Sequence, residues 1–147
     1  MSKQAEADLI LKLYELRRED TMRKARDWFF REFSAENMEE LNKVMFGEHS
    51  GHFRMVITYW EMAAALVNHG AISVEMFSDC NGEHISTFAL VEPLLPEMRA
   101  MYSPKMLQSL EKLVDATPGG REQAAKIRER MKHMRSLMAA KASPAAS

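Results

Sequence analysis

Between Gly51 and His69 the apolar residues Phe53, Val56, Ile57, Trp60, Ala63, Ala64 and Val67 recur with the period of an α-helix. At about 100° per residue they share one wide face, and Met55, Tyr59, Met62 and Leu66 cover much of the remainder. Every other long segment repeats this period, and none alternates cleanly with period two. That pattern predicts an all-α chain: one helical domain over residues 1–140, a bundle of about six to seven helices ending in a basic one, and a frayed tail over 141–147. A chain of 147 residues can bury such a core without disulfide or metal staples.

Local signals set the expected boundaries. A first helix spans about Ala5 to Arg18, with Leu9, Leu13 and Leu16 on one face. Asp20 or Thr21 begins a second, MRKARDWFFREF, whose Met22, Ala25, Trp28, Phe29 and Phe33 share a side. Ser34 is a natural N-cap for AENMEELNKVMF, with Glu36 at the positive end of the helix dipole and Gly47 at its finish. The helix from Gly51 to His69 ends at Gly70, where a left-handed residue is needed, and Ser73 caps a short helix to Asp79. DCNG reads as a turn. EHISTFALVEPLLPEM reads as a helix interrupted by Pro93 and Pro96, since each proline removes a donor. Ser103 and Pro104 are suited to open the next helix, TPGG breaks the chain, and the last helix runs from about Arg121 to Ala140.

Totals narrow the function classes. The composition, 46% hydrophobic and 28% charged, belongs to a globular chain. A formal charge of −1 provides no field to gather nucleic acid or an anionic membrane. One cysteine, Cys80, rules out an internal disulfide and a cysteine-based zinc cage, which suits a cytoplasmic location. The opening residues, interrupted by Lys12, Glu15 and Arg17, do not read as a signal peptide. The least charged run, Met55 to Ile72, still holds Glu61, Asn68 and His69, so no membrane span is expected.

Three places could carry chemistry. Arg54, Thr58 and Glu61 fall on one polar seam of the helix at 51–69. Such a seam is a solvent-facing stripe, a carboxylate satisfied by a cation on another helix, or a buried acid or base. Glu48, His49 and His52 in GEHSGH could offer oxygen and nitrogen ligands to zinc, although Ser50 and Gly51 look like a loop and His69, His84 and His133 are dispersed. Cys80 has His84 four residues on, but Asp79 and Glu83 would raise its thiol pKa and weaken it as a nucleophile. No phosphate-binding glycine loop or nucleophile elbow is present, and no cofactor is expected.

The last helix repeats Ala124, Ile127, Met131, Met134 and Met138 at three- and four-residue spacing, with Arg128, Arg130, Lys132 and Arg135 around the seam. Such a helix packs back on its bundle or extends an interface with a second subunit. Nucleic acid suits it poorly, because it has no aromatic stacking partner. Methionine, 13 residues in all, fills irregular cores and also makes adaptable binding surfaces.

The segments LYELRRE, RKARDWFF, FRMVITYWEMAAALVNHGAIS and FSD resemble a bacterial family of small helical proteins, domain of unknown function 4760, over about Leu13 to Tyr102. In that family a helix rich in aromatic and small residues ends in a glycine-containing turn before a short helix begun by Ser or Asp. Many members carry membrane helices ahead of this region; none is expected in the residues before Leu13 here. The resemblance implies the helical fold and brings no catalytic residues with it. The expectation is therefore binding rather than catalysis, as a homo-oligomer or with another protein. Its candidate contacts are Arg54 and Glu61 on the seam, and Met131, Met134 and Met138 on the last helix. The alternative is a ligand- or metal-binding bundle with hydrolytic activity built on Glu48, His49, His52 and Glu61.

Overall fold

The computed structural model describes residues 2–142, over which the chain forms only helices and their connections. They are α1 (Lys3–Arg17), α2 (Asp20–Arg31), α3 (Met38–Met45), α4 (Ser50–Asn68), α5 (Val74–Cys80), α6 (Glu83–Val91), a 3₁₀ turn (Glu92–Leu94), α7 (Leu95–Met101), α8 (Gln108–Ala116) and α9 (Gly120–Ala142). Several begin where a side chain can take up an open backbone amide. Ser2 Oγ accepts from the Ala5 amide at 3.1 Å, Glu19 Oε2 from Met22 at 3.0 Å, and Ser73 Oγ from Met76 at 3.2 Å.

The apolar face of α4 is buried as its period predicts, and it packs chiefly against α2 and α8, while α6 packs chiefly against α9. One hydrophobic cluster runs from Ile10 in α1 to Ala124 in α9, with Trp60, Phe29, Phe33, Phe53, Phe77 and Phe88 wholly enclosed. This is a single all-α domain. Gly70 ends α4 at φ +84°, and the amides of Gly70 and Ala71 return to the carbonyls of Val67 and Leu66, both at 2.9 Å. That pairing closes the helix in a Schellman motif. At Gly120 a Cβ would stand 2.2 Å from the Val114 carbonyl oxygen, so only glycine lets α9 start this close to the end of α8.

Several expectations need correction. Among the described residues there are nine α-helices against the six to seven expected, and one of the additions arises because the segment interrupted by Pro93 and Pro96 divides into α6, the 3₁₀ turn and α7. The N-cap of α3 is Asn37, three residues beyond the predicted cap Ser34. Asn37 Oδ1 accepts from the Glu40 amide at 2.9 Å, and Glu40 reaches back to the Glu36 amide at 3.3 Å. This reciprocal pairing resembles a capping box, and Ser34 has no acid three residues on to form one. In α1 it is Ile10 and Leu13 that are buried, and Leu16 stays exposed. Helix α8 starts at Gln108, not at Pro104, for a reason that lies on α4. The tail expected over 141–147 falls, beyond Ala142, outside the described residues.

Candidate functional site

Glu61 leaves the seam that Arg54 and Thr58 define. Its Oε1 accepts from the Leu110 amide at 2.7 Å and its Oε2 from the Ser109 amide at 3.1 Å, while Asn68 Nδ2 donates to the Ser109 carbonyl at 2.9 Å. These two amides are among the open donors of the first turn of α8. The residue at the N-cap of α8, Leu107, has no side-chain acceptor and is buried at φ +56°. Glu61 therefore supplies in trans the cap that α8 cannot make for itself. Arg54 remains exposed, and its carbonyl accepts from Thr58 Oγ1 at 2.6 Å. The expected Arg54–Glu61 surface is not assembled, and among the described residues the carboxylate is neither a solvent stripe nor one arm of an ion pair.

The histidines gather around an aromatic ring. Helix α4 begins at Ser50, so Ser50 and Gly51 belong to its first turn and bring His49 and His52 to one end of it. His49 stacks on Trp28 with ring centroids 5.0 Å apart, and the His49 and His52 rings lie 5.7 Å apart. Glu48 Oε1 approaches His49 Nε2 to 3.6 Å from an otherwise exposed position. Among the described residues no three His, Cys, Asp or Glu side chains converge as metal ligands.

Sequence reasoning missed a second carboxylate. Glu83 accepts from Arg26 Nε at 2.8 Å, Arg26 Nη2 at 2.7 Å and Trp60 Nε1 at 3.2 Å, which locks α2, α4 and α6 together. Next to it His84 is 1% exposed, its ring 4.9 Å from Phe77 and 5.9 Å from Trp60. Burial lowers its pKa from 6.5 to about 4, so the ring is neutral at neutral pH. Cys80, exposed at the end of α5, shares a shallow depression with His84.

Helix α9 divides into two halves. In the first, Ala124 is buried, and Ile127 and Met131 pack on the core. Arg121 donates to Glu92 at 2.9 Å, Glu111 at 2.8 Å and Asp115 at 2.6 Å, and its guanidinium lies 5.0 Å from the Phe88 ring centroid. Arg128 also holds Glu92 and donates to the Ala89 carbonyl at 2.7 Å. Arg99 meets Glu111 at 3.0 Å. Three arginines and three acids thus neutralise one another across α7, α8, α9 and the 3₁₀ turn. In the second half Met134, Leu137 and Met138 are 52%, 53% and 62% exposed. The structure thus separates Met131, which belongs to the core surface, from Met134 and Met138, and adds Leu137, which the three–four spacing passes over.

No helix among the described residues is long and apolar enough to cross a membrane. No curated protein and no solved structure matches the chain. A family model described as a domain of unknown function, DUF4760, matches residues 4–117, the stretch from α1 to the end of α8. The chain therefore belongs to the DUF4760 family, with α9 lying beyond the matched region.

Proposed function

We propose that this protein is a binding module without catalysis of its own, and that the second half of α9 holds an acidic surface of another protein. One observation carries the reading: Met134, Leu137 and Met138 form an exposed apolar stripe where the helix has run past the body that covers its first half. Arg130 and Lys141 fall on the same side at about 100° per residue. Between residues 126 and 141 the helix carries six Lys or Arg against one Glu. Two copies meeting through this stripe would oppose like charges, whereas a groove or helix rimmed by carboxylates complements it. The methionines adapt to the partner's shape. Absence of catalysis is supported by the uses already found for the carboxylates, since Glu61 caps α8 and Glu83 holds Arg26. A reducing compartment such as the cytoplasm suits the exposed Cys80.

The test uses the full chain and a labelled amphipathic helical peptide with leucine on one face and glutamate on its flanks. Fluorescence anisotropy should show saturable binding that is lost in a Met134→Glu/Met138→Glu double variant and in a lysine-flanked peptide. Equal binding of both peptides would overturn the proposal. So would a dimer in light scattering that the double variant dissolves, which would make a second copy the occupant. Capture by anionic vesicles without peptide binding would assign the stripe to a lipid surface instead.

A further inference from the structure

The flank of α9 beside the stripe carries Arg128, Met131, Lys132 and Arg135, which share a facet at helical spacing. This facet faces the connection between α2 and α3 and the junction of α6 with the 3₁₀ turn across a cavity of about 240 Å³. Phe33, Leu90, Pro93 and Met131 give the cavity apolar walls. Arg128 is occupied by Glu92 and the Ala89 carbonyl. Arg135 is not. Its Nη2 is closed off from solvent and has no acceptor among the described residues, and no carboxylate among them lies within ion-pairing distance of its guanidinium. Burial lowers its pKa with no neighbouring negative charge to offset the effect. Guanidinium nitrogens closed off from water are as a rule paired, because an unmatched one forfeits its hydration. Arg99 Nη2 also has no acceptor among the described residues, but the rest of that guanidinium is held by Glu111 and the Met106 carbonyl.

We propose that this cleft binds a small amphipathic monocarboxylate, with the carboxylate on Arg135 beside Lys132 and a short apolar group against Phe33, Leu90, Pro93 and Met131. A guanidinium with an adjacent ammonium suits a carboxylate in charge and hydrogen-bonding geometry. Glu36 on the rim repels a second negative charge, which favours a monoanion over a phosphate dianion. The cavity falls below the roughly 300–1,000 Å³ typical of drug-sized ligands, so the apolar group is short. Met134, Leu137 and Met138 do not line it, and the site stands independently of the partner surface.

Octanoate titrated into the full chain by calorimetry should bind saturably at one site and shift the Met131 methyl resonance. Octanol and acetate, each lacking one half of the recognition, should bind at least tenfold more weakly. Arg135→Gln should weaken octanoate at least tenfold and Lys132→Gln several-fold. Because Arg135 has no partner among the described residues, Arg135→Gln should resist urea as well as the parent chain does. The proposal is overturned if octanoate gives no saturable signal, if octanol binds as tightly, or if Arg135→Gln binds octanoate unchanged. It is equally overturned if Arg135→Gln unfolds at lower urea, which would make the guanidinium a structural group.

Discussion

The two halves of α9 carry the same seam and meet different surroundings. Ala124, Ile127 and Met131 lie against α6 and α8, and Arg121 and Arg128 fasten that half to Glu92, Glu111 and Asp115. Seven residues beyond Met131, Met138 continues the same face and is 62% exposed. Helical period places a side chain on a face; the reach of the neighbouring elements decides whether that face is covered. The helix has 23 residues, about 34 Å at ~1.5 Å each, whereas α6 and α8 have nine apiece. The remainder of α9 is a surface, which is why binding is proposed there.

The strongest way to break this comparison is to place the same charge in both halves. Ala124→Asp should lower unfolding free energy by roughly 3 kcal/mol or more, because the carboxylate enters a wholly enclosed position. Met138→Asp should change it by less than about 0.5 kcal/mol. Urea denaturation of both variants measures the contrast, and equal effects would mean that the halves are equally packed.

A second experiment asks whether the body beneath the first half is as dry as His84 implies. The folded state holds this ring neutral down to about pH 4, while the unfolded chain takes its proton near 6.5. The contribution of His84 is therefore intact above pH 6.5, declines as the pH falls, and is fully lost below about pH 4. The displacement corresponds to roughly 3 kcal/mol. His84→Leu should remove that part of the pH dependence in urea unfolding followed from pH 7 to pH 4. An unchanged slope would show that water reaches the ring.

The smallest expected effect sharpens the contrast on α4, where one polar seam also meets two environments. Glu61→Ala should cost about 1–2 kcal/mol by leaving the Ser109 and Leu110 amides without their acceptor. Glu61→Gln should cost less, since an amide oxygen still accepts, and Arg54→Ala should fall within about 0.5 kcal/mol. Hydrogen exchange at Ser109 and Leu110 reads the cap directly. Protection that survives in Glu61→Ala would refute it.

Much of the fold was legible because helical period and capping chemistry are local. The face of α4 from Phe53 to Val67, the left-handed Gly70 and the cap at Ser73 all follow from residues a few positions apart. Ser34 and Pro104 misled for the complementary reason. Each is a sound local start signal, but Asn37 with Glu40 makes a better-closed cap, and α8 takes its cap from another helix. The pairing of Arg26 with Glu83, 57 residues apart, has no sequence signature at all. The same holds for the cleft beside Arg135, whose walls come from three separate stretches of chain.

By itself the sequence determined which residues turn inward on α2 and α4, where most helices stop, and that the chain is all-α, because these depend on side-chain size, polarity and backbone freedom over a turn or two. Only the tertiary structure decided that Glu61 serves α8, that Glu83 serves Arg26, and that the seam of α9 is covered in one half and bare in the other. Those outcomes depend on which groups meet across space and on how far each element extends, and hydrogen bonding and burial act through that proximity rather than through order along the chain.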